Sequence, residues 1–380
     1  MTPSQVRPIL KTWVLQYAQE LGFDLVGIAS EEPLIEHGRA AHESVRQGYM
    51  EGMPWLTEER VHRASDPQAL LPGARSIIAV ALSYLPPARE DRPVDASAGR
   101  VARYARWTDY HQVMKAKLRT LASCLPEQVG RPVRSRVFVD DGPLLERAVA
   151  QRAGLGWFGK NANILTPTHG SWVFLGALLT DLEMEPDQPL KKSCGNCVLC
   201  IPACPTGAIV APYVVDARWC ISYLTIECRG VIPRHLRLLV GDWLFGCDIC
   251  QEACPVNRDV RGANMPEMKR TGFSALEIVP LLTMTQEQFS ARFRNTPIKR
   301  AKLVGIQRNA CVALGNAGDR RAVPALGRAL REGEPLVRGH AAWALGRIGG
   351  PEALRLLEDA LEHEANAYVR EEVEGVVGEV

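Results

Sequence analysis

Apolar and polar positions follow different periods in different parts of this chain, and the changes divide it into three. In the first part, short runs rich in branched residues stand at 23–29, 76–84 (SIIAVALSY), 136–139 and 171–180 (SWVFLGALLT). Runs of that length and composition predict buried strands. Between them, 4–21 and 110–125 carry apolar residues at helical spacing, and another helix is expected after Gly142. The pattern predicts one sheet covered by helices; it leaves the strand order open. From 186 to 255 the chain breaks into short pieces rich in Cys, Pro and Gly, too short to bury much core. After Thr271 only helical periods are expected. No apolar run approaches the 18 or so residues that a membrane span requires.

The helical tail repeats. RNACVALGNAG at 308–318 matches RGHAAWALGRIG at 338–349, so Arg308, Leu314 and Gly315 fall opposite Arg338, Leu345 and Gly346. Second helices follow each at similar offsets, and VREEVEGVV begins a third unit. A period of about 30 residues with two helices per unit marks an α-solenoid similar to short HEAT-like repeats. Such repeats bind partners and carry no chemistry of their own.

The chain has 380 residues, enough for two or three domains. Apolar residues make up 46% and charged ones 23%, the balance of a globular protein and not of a disordered one. The N-terminal stretch reads as an amphipathic helix without the features of a signal peptide, so a cytoplasmic location is expected. The net charge of +2 says nothing about nucleic acid. Locally the balance differs: from 258 to 308 there are ten Lys or Arg (258, 261, 269, 270, 292, 294, 299, 300, 302 and 308) against four acids. That stretch reads either as a solvated helical face or as a path for a phosphate backbone.

Nine of the eleven cysteines lie between Cys194 and Cys254. Without an export signal, such density points to metal rather than disulfides. Cys194-x2-Cys197-x2-Cys200-x3-Cys204-Pro205 is the bacterial ferredoxin run, in which three thiolates hold one cubane and the fourth is sent to a second. Cys247-x2-Cys250-x3-Cys254-Pro255 repeats its last three positions, with Leu244 where the first cysteine would stand. Cross-ligation assigns Cys194, Cys197, Cys200 and Cys254 to one cluster and Cys204, Cys247 and Cys250 to the other. Spacing leaves the last ligand open between Cys220 and Cys228. Structural zinc is the alternative reading of the CxxC pairs. Cys124 and Cys311 stand apart and read as buried small hydrophobes.

Asp140 and Asp141 follow an apolar strand and precede a helix. An acid there, if desolvated, has a raised pKa and can donate a proton near neutrality; alternatively it caps the helix. The glycine-rich segment 154–161 follows a helix and lacks the spacing of a nucleotide loop. No HExxH, GxSxG or DxHxxG motif occurs.

Six segments together resemble the epoxyqueuosine reductase family over essentially the whole chain. They are RVHRASDP (60–67), RVARYARWTDYH (100–111), VDDGPLLERAVAQRAGLGWFGKNANILTP (139–167), the CGNCVLCIPACPTGAI block, CISYLTIE (220–227) and GCDICQEACPVN (246–257). The resemblance implies an α+β protein in three parts: an N-terminal α/β cobalamin-binding catalytic domain over 1–185, a ferredoxin-like domain with two [4Fe-4S] clusters over 186–260, and an all-α HEAT-like tRNA-binding domain over 261–380. It implies an oxidoreductase that removes the epoxide oxygen of epoxyqueuosine at the wobble position of tRNA, with electrons relayed through the clusters to cobalamin. Asp140 would be the proton donor, and Arg63, Arg103, Asp140, Asn163, Leu175 and Ser222 would contact the corrin. Cys220 matches the family's isolated cluster ligand. Position 141 departs from the pattern, being Asp where many relatives carry a small or hydroxyl residue. The expected partners are tRNA and an unidentified electron donor, with no membrane, and the chain is expected to be a monomer. Two rivals differ in kind: a cobalamin and iron–sulfur reductase of another substrate, such as a reductive dehalogenase, and an electron-transfer adaptor that docks through its repeats.

Overall fold

The computed structural model describes residues 3–86, 97–262 and 267–378. Met1 and Thr2, the start of the stretch read for a leader, lie outside the described residues. All four expected strands form: Leu25–Ala29, Ser76–Ser83, Ser135–Phe138 and Val173–Thr180. They make one sheet in the spatial order Leu25–Ala29, Ser76–Ser83, Val173–Thr180, Ser135–Phe138, with every neighbouring pair antiparallel. Ser76–Ser83 is buried at every position. Its Ile78, Val80 and Leu82 join the core beneath the helices Pro3–Glu20 and Tyr110–Val129, while Ile77, Ala79 and Ala81 join the core on the opposite face with the helix Glu146–Arg152. Cover on both faces is why this strand reads as an unbroken apolar run rather than an alternation.

A second, three-stranded sheet has Ala98–Val101 at its centre, parallel to Trp243–Phe245 and antiparallel to Ala275–Glu277. The strand Ala275–Glu277 corrects the expectation of helices alone after Thr271. Three residues show no period, and this strand forms because distant chain presents it with an edge.

The cysteine-rich region also buries more than its short pieces suggested. Ile221, Leu224, Ile232, Leu236, Trp243 and Phe245 belong to a single core that continues through the C-terminal helices to Val376. The short helices Ile221–Ile226 and Arg234–Val240 each offer a few apolar residues, and the helix Lys302–Ala317 packs against both. Beyond it come Val323–Glu332, Pro335–Ile348, Pro351–His363 and Ala367–Val377, the helical pairs read from the repeat. The repeated glycine has a packing cause. A Cβ at Gly315 would lie 2.7 Å from the Trp343 ring, and one at Gly346 would collide with Val376, so the helices cross at backbone distance. Among the described residues no helix is long and apolar enough to cross a membrane.

Candidate functional site

The strand Ser135–Phe138 ends at the buried Val139, and the next residue, Asp140, adopts a left-handed backbone with φ 54°. That conformation is costly for a residue with a side chain and is held only by its surroundings. Two contacts do so here. The Asp140 N–H donates to Glu146 Oε1 at 3.0 Å, and the Tyr110 hydroxyl donates to Asp140 Oδ2 at 2.5 Å.

Tyr110 and His111 owe their position to a helix start. Asp109 is the N-cap of Tyr110–Val129, its carboxylate accepting from the His111 N–H at 3.0 Å, so both residues lie in the first turn, facing the strand end. The Tyr110 ring stacks on Phe174 with centroids 4.0 Å apart. Burial, and then the charge of Asp140, push the Tyr110 phenol well above its ordinary pKa, so it remains a donor. His111 Nδ1 lies 2.7 Å from Asp109 Oδ1, and Nε2 lies 3.9 Å from Asp140 Oδ2. Burial alone would lower the His111 pKa, but the hydrogen bond and charge of Asp109, with Asp140 and Asp141 nearby, raise it above the ordinary value. Burial, with the charge of Asp140 adding to it, lifts the Glu146 carboxyl to about 7.

Asp141 turns away and pairs with Lys115. Neither acid caps the helix Glu146–Arg152, whose N-cap is Leu145 with no side-chain bond. The Asp140 side chain is 70% exposed, so the condition of desolvation is not met here. The loop leaves the sheet at its edge strand, so the carboxylate stands at a rim. Arg60 donates to the Gly142 carbonyl at 3.2 Å, so the helix Glu58–Ala64, with Arg63 exposed on it, flanks the same loop.

A wall of aromatic and charged groups runs from this acid toward the cysteines. Tyr104 lies close enough for the charge of Asp140 to add to the effect of burial on its phenol. Tyr84 packs on Phe174 with centroids 4.7 Å apart and donates to Gln251 Oε1 at 3.2 Å. Arg103 is buried, donating to Glu252 at 2.5 Å and to Asp248 at 3.4 Å, with its guanidinium 4.9 Å from the Trp172 ring. Asn163 lies in a loop tied to the helix Glu146–Arg152 by Arg147, which donates to the Ala162 carbonyl at 2.6 Å. Val173 and Leu175 are half-buried on one face of the sheet, with Ser83 paired opposite Val173. The Ser83 hydroxyl is buried with no hydrogen-bond partner. Ser222 is half-buried in the first turn after Cys220.

The cysteines from the two blocks meet in space. Cys194, Cys197, Cys200 and Cys254 line one cavity, with Lys160 and Asn161 at its edge. Among the described residues no three His, Cys, Asp or Glu converge closely enough to hold one metal ion. Burial and then the nearby Cys220 push the thiols of Cys247 and Cys250 up, and Cys204 acts in the same way on Cys220. Cys204, Cys220, Cys247 and Cys250 thus form the second group. Cys228 stands elsewhere: its carbonyl accepts from Arg308 at 2.8 Å and its thiol faces the Gly230 carbonyl. Cys311 is fully buried as expected, whereas Cys124 is only half-buried, with its thiol 3.5 Å from the Tyr17 hydroxyl.

Nine of the ten basic residues of 258–308 are exposed. Arg308 is the exception, fully buried and donating to the carbonyls of Leu224, Cys228 and Gly230, so it leaves the proposed phosphate path. A buried guanidinium needs that many acceptors. Arg300 pairs with Glu227 at 2.8 Å, and its guanidinium lies 5.3 Å from the exposed Trp55 ring. Sequence reasoning missed Tyr110, His111 and Glu146. The cap at Asp109 was legible, but not the strand end that its helix would face.

Comparison with known proteins gives a consistent picture. The family model for a 4Fe-4S double cluster binding domain matches residues 193–257, that for epoxyqueuosine reductase QueG, DUF1730, matches 64–141, and that for HEAT repeats matches 304–377. The epoxyqueuosine reductase of Bacillus cereus is 36% identical over 369 residues, covering 96% of each protein. A crystal structure of epoxyqueuosine reductase with an epoxyqueuosine-modified tRNA-Tyr stem loop superposes with a TM-score of 0.91 at 34% identity, covering 98% of both chains. A Bacillus subtilis epoxyqueuosine reductase structure, whose aspartate-bearing catalytic loop is swung out of the active site, matches with the same TM-score of 0.91 over 98% of this chain and 99% of that one.

Proposed function

The chain belongs to the epoxyqueuosine reductase family, and on that premise we propose how it reduces epoxyqueuosine to queuosine at the wobble position of tRNA, working in the cytoplasm. The observation that carries the reading is the placement of Asp140, strained at a strand end and held by Tyr110 and Glu146 within reach of His111.

The two groups of four cysteines suit two [4Fe-4S] clusters, each drawing ligands from both sequence blocks: Cys194, Cys197, Cys200 and Cys254 for one, Cys204, Cys220, Cys247 and Cys250 for the other. For cobalamin the fit rests on the half-buried apolar side chains of Val173 and Leu175, the buried, unpartnered hydroxyl of Ser83 on the strand beside Val173 and the adjoining loop of Asn163. Those residues, with Arg63, Asp140 and Ser222 around them, would hold the corrin, and Arg103 would brace the wall between it and the second cysteine group. Cobalamin and the clusters, when bound, supply the two reducing electrons.

Converting the epoxide to the alkene of queuosine consumes two electrons and two protons and releases the oxygen as water. Asp140 gives the first proton to the epoxide oxygen as its C–O bond breaks, since an alkoxide leaves poorly without an acid. The second proton reaches the same oxygen through Asp140, resupplied by His111, whose positive form Asp109 stabilises. Tyr110 orients the carboxylate throughout. The wobble base must be turned out of the anticodon loop to reach the acid. The swung-out catalytic loop of the Bacillus subtilis relative supports a loop at 140–145 that moves with substrate.

The test is a single-turnover assay with reduced, cobalamin-loaded protein and a tRNA stem loop bearing epoxyqueuosine. Loss of one oxygen from the nucleoside mass, dependent on cobalamin, is expected. No conversion with clusters and corrin both bound overturns the reading.

A further inference from the structure

The reaction consumes two electrons from outside the protein, and the two cysteine groups differ in what surrounds them. The second group adjoins the acid site: Tyr84, near Asp248 and Cys250, packs on the same Phe174 on which Tyr110 stacks. The first group adjoins the surface. Val198 and Leu199, between Cys197 and Cys200, are 45% and 49% exposed, and Val210 and Tyr213 are each 47% exposed. The Tyr213 N–H donates to the Lys160 carbonyl at 2.9 Å, and the Lys160 ammonium donates to the Gly195 carbonyl at 2.8 Å, so the segment of Val210 and Tyr213 is tied to the loop that carries Val198 and Leu199. Lys192 stands on it too, 5.5 Å from the ring of Trp157, which packs on Cys254.

The local sequence of that face is basic. From 188 to 215 the chain carries Lys191 and Lys192 and not one acid, and the acid just before, Asp187, is paired with Lys11 at 2.6 Å. Exposed apolar side chains at the centre with lysines at the rim are the anatomy of a transient protein interface. RNA would favour aromatic stacking platforms over Val198 and Leu199.

We propose that the face formed by Val198, Leu199, Val210 and Tyr213, rimmed by Lys160, Lys191 and Lys192, docks an acidic one-electron carrier protein that reduces the cluster held by Cys194, Cys197, Cys200 and Cys254. Each docking passes one electron from the carrier to the oxidised cluster, and two dockings serve one epoxide. The proposal rests on the cluster assignment given above.

The experiment follows bleaching of cluster absorbance after anaerobic mixing of the holoenzyme with reduced flavodoxin, an acidic carrier, and separately with dithionite. In wild type the flavodoxin rate falls as salt rises. The double variant Lys191→Glu/Lys192→Glu slows it at least about tenfold at low salt, the range of electrostatic steering, while dithionite bleaches both proteins alike. Leu199→Asp slows the flavodoxin step in the same way. Equal flavodoxin rates in wild type and both variants, or a rate indifferent to salt, overturn the proposal and leave the cluster assignment standing. So does weaker binding of a tRNA stem loop by the double variant with its flavodoxin rate unchanged. A wild-type protein without cluster absorbance overturns the assignment and the proposal together.

Discussion

Asp140 pays for its position in backbone strain, and Tyr110 and His111 flank its side chain. Replacing the carboxyl while keeping its shape isolates its proton. Asp140→Asn should retain both clusters and cobalamin by absorbance yet lose about 10²–10⁴ in single-turnover rate, the usual worth of a general acid; undiminished turnover would remove Asp140 from the mechanism. His111 makes a separate prediction about pH. Its pKa is raised, so the protonated form that resupplies Asp140 persists above the ordinary 6.5 and is lost as pH rises through the raised value. Turnover in wild type should fall along that alkaline limb. In His111→Gln the rate should be lower and the limb absent, and a limb that survives the substitution would assign it to another group.

At the scale of elements, the strand Ser135–Phe138 and the helix Glu146–Arg152 are joined by the bond from the Asp140 N–H to Glu146. The folded-state pKa of Glu146, about 7, lies above its ordinary 4.5. The folded protein therefore keeps a proton that the unfolded chain gives up, and stability falls as pH rises between those two values. Glu146→Gln has no such proton, so the melting temperature of wild type relative to this variant should drop from pH 4.5 to 7 and then level off. A constant difference across that range would place the Glu146 carboxyl outside the titration. A second junction ties the last helix to the cysteine region. Glu372 accepts from the fully buried Arg237 at 2.9 and 2.5 Å and from Arg234 at 2.9 Å. Glu372→Ala would strand a buried guanidinium and should cost about 3–5 kcal/mol in denaturant unfolding. A loss below 1 kcal/mol would mean that water reaches Arg237.

For the whole molecule, the basic surface between 258 and 302 leads from the cysteine region into the repeats, and Lys299, Arg300 and Lys302 stand exposed where the two join. Stem-loop affinity should fall linearly with log salt, and each of Lys299→Ala and Lys302→Ala should weaken binding and reduce the slope by about one if it neutralises one phosphate. An unchanged slope in both would move the RNA elsewhere. Because one core runs from Val101 to Val376, the repeats are not a loose appendage. Their position is set by the same packing that positions Cys220 and Cys247.

What the sequence determined by itself is what a short window carries. Branched apolar runs marked the strands because the inner ones are covered on both faces, although the edge strand Ser135–Phe138, read as buried, is exposed at Ser135 and Arg136; the CxxC spacings marked the cysteine blocks, and the repeated Ala-Leu-Gly marked helices that cross closely. The tertiary structure alone decided the rest. It set the antiparallel strand order, and it formed the strand Ala275–Glu277 on the edge of the distant strand Ala98–Val101. It placed Cys220 rather than Cys228 beside Cys247, buried Arg308 away from the basic surface, and turned Asp141 to Lys115 while Asp140 met Tyr110. Each of those outcomes depends on which distant residue arrives opposite, and no local period or spacing encodes that meeting.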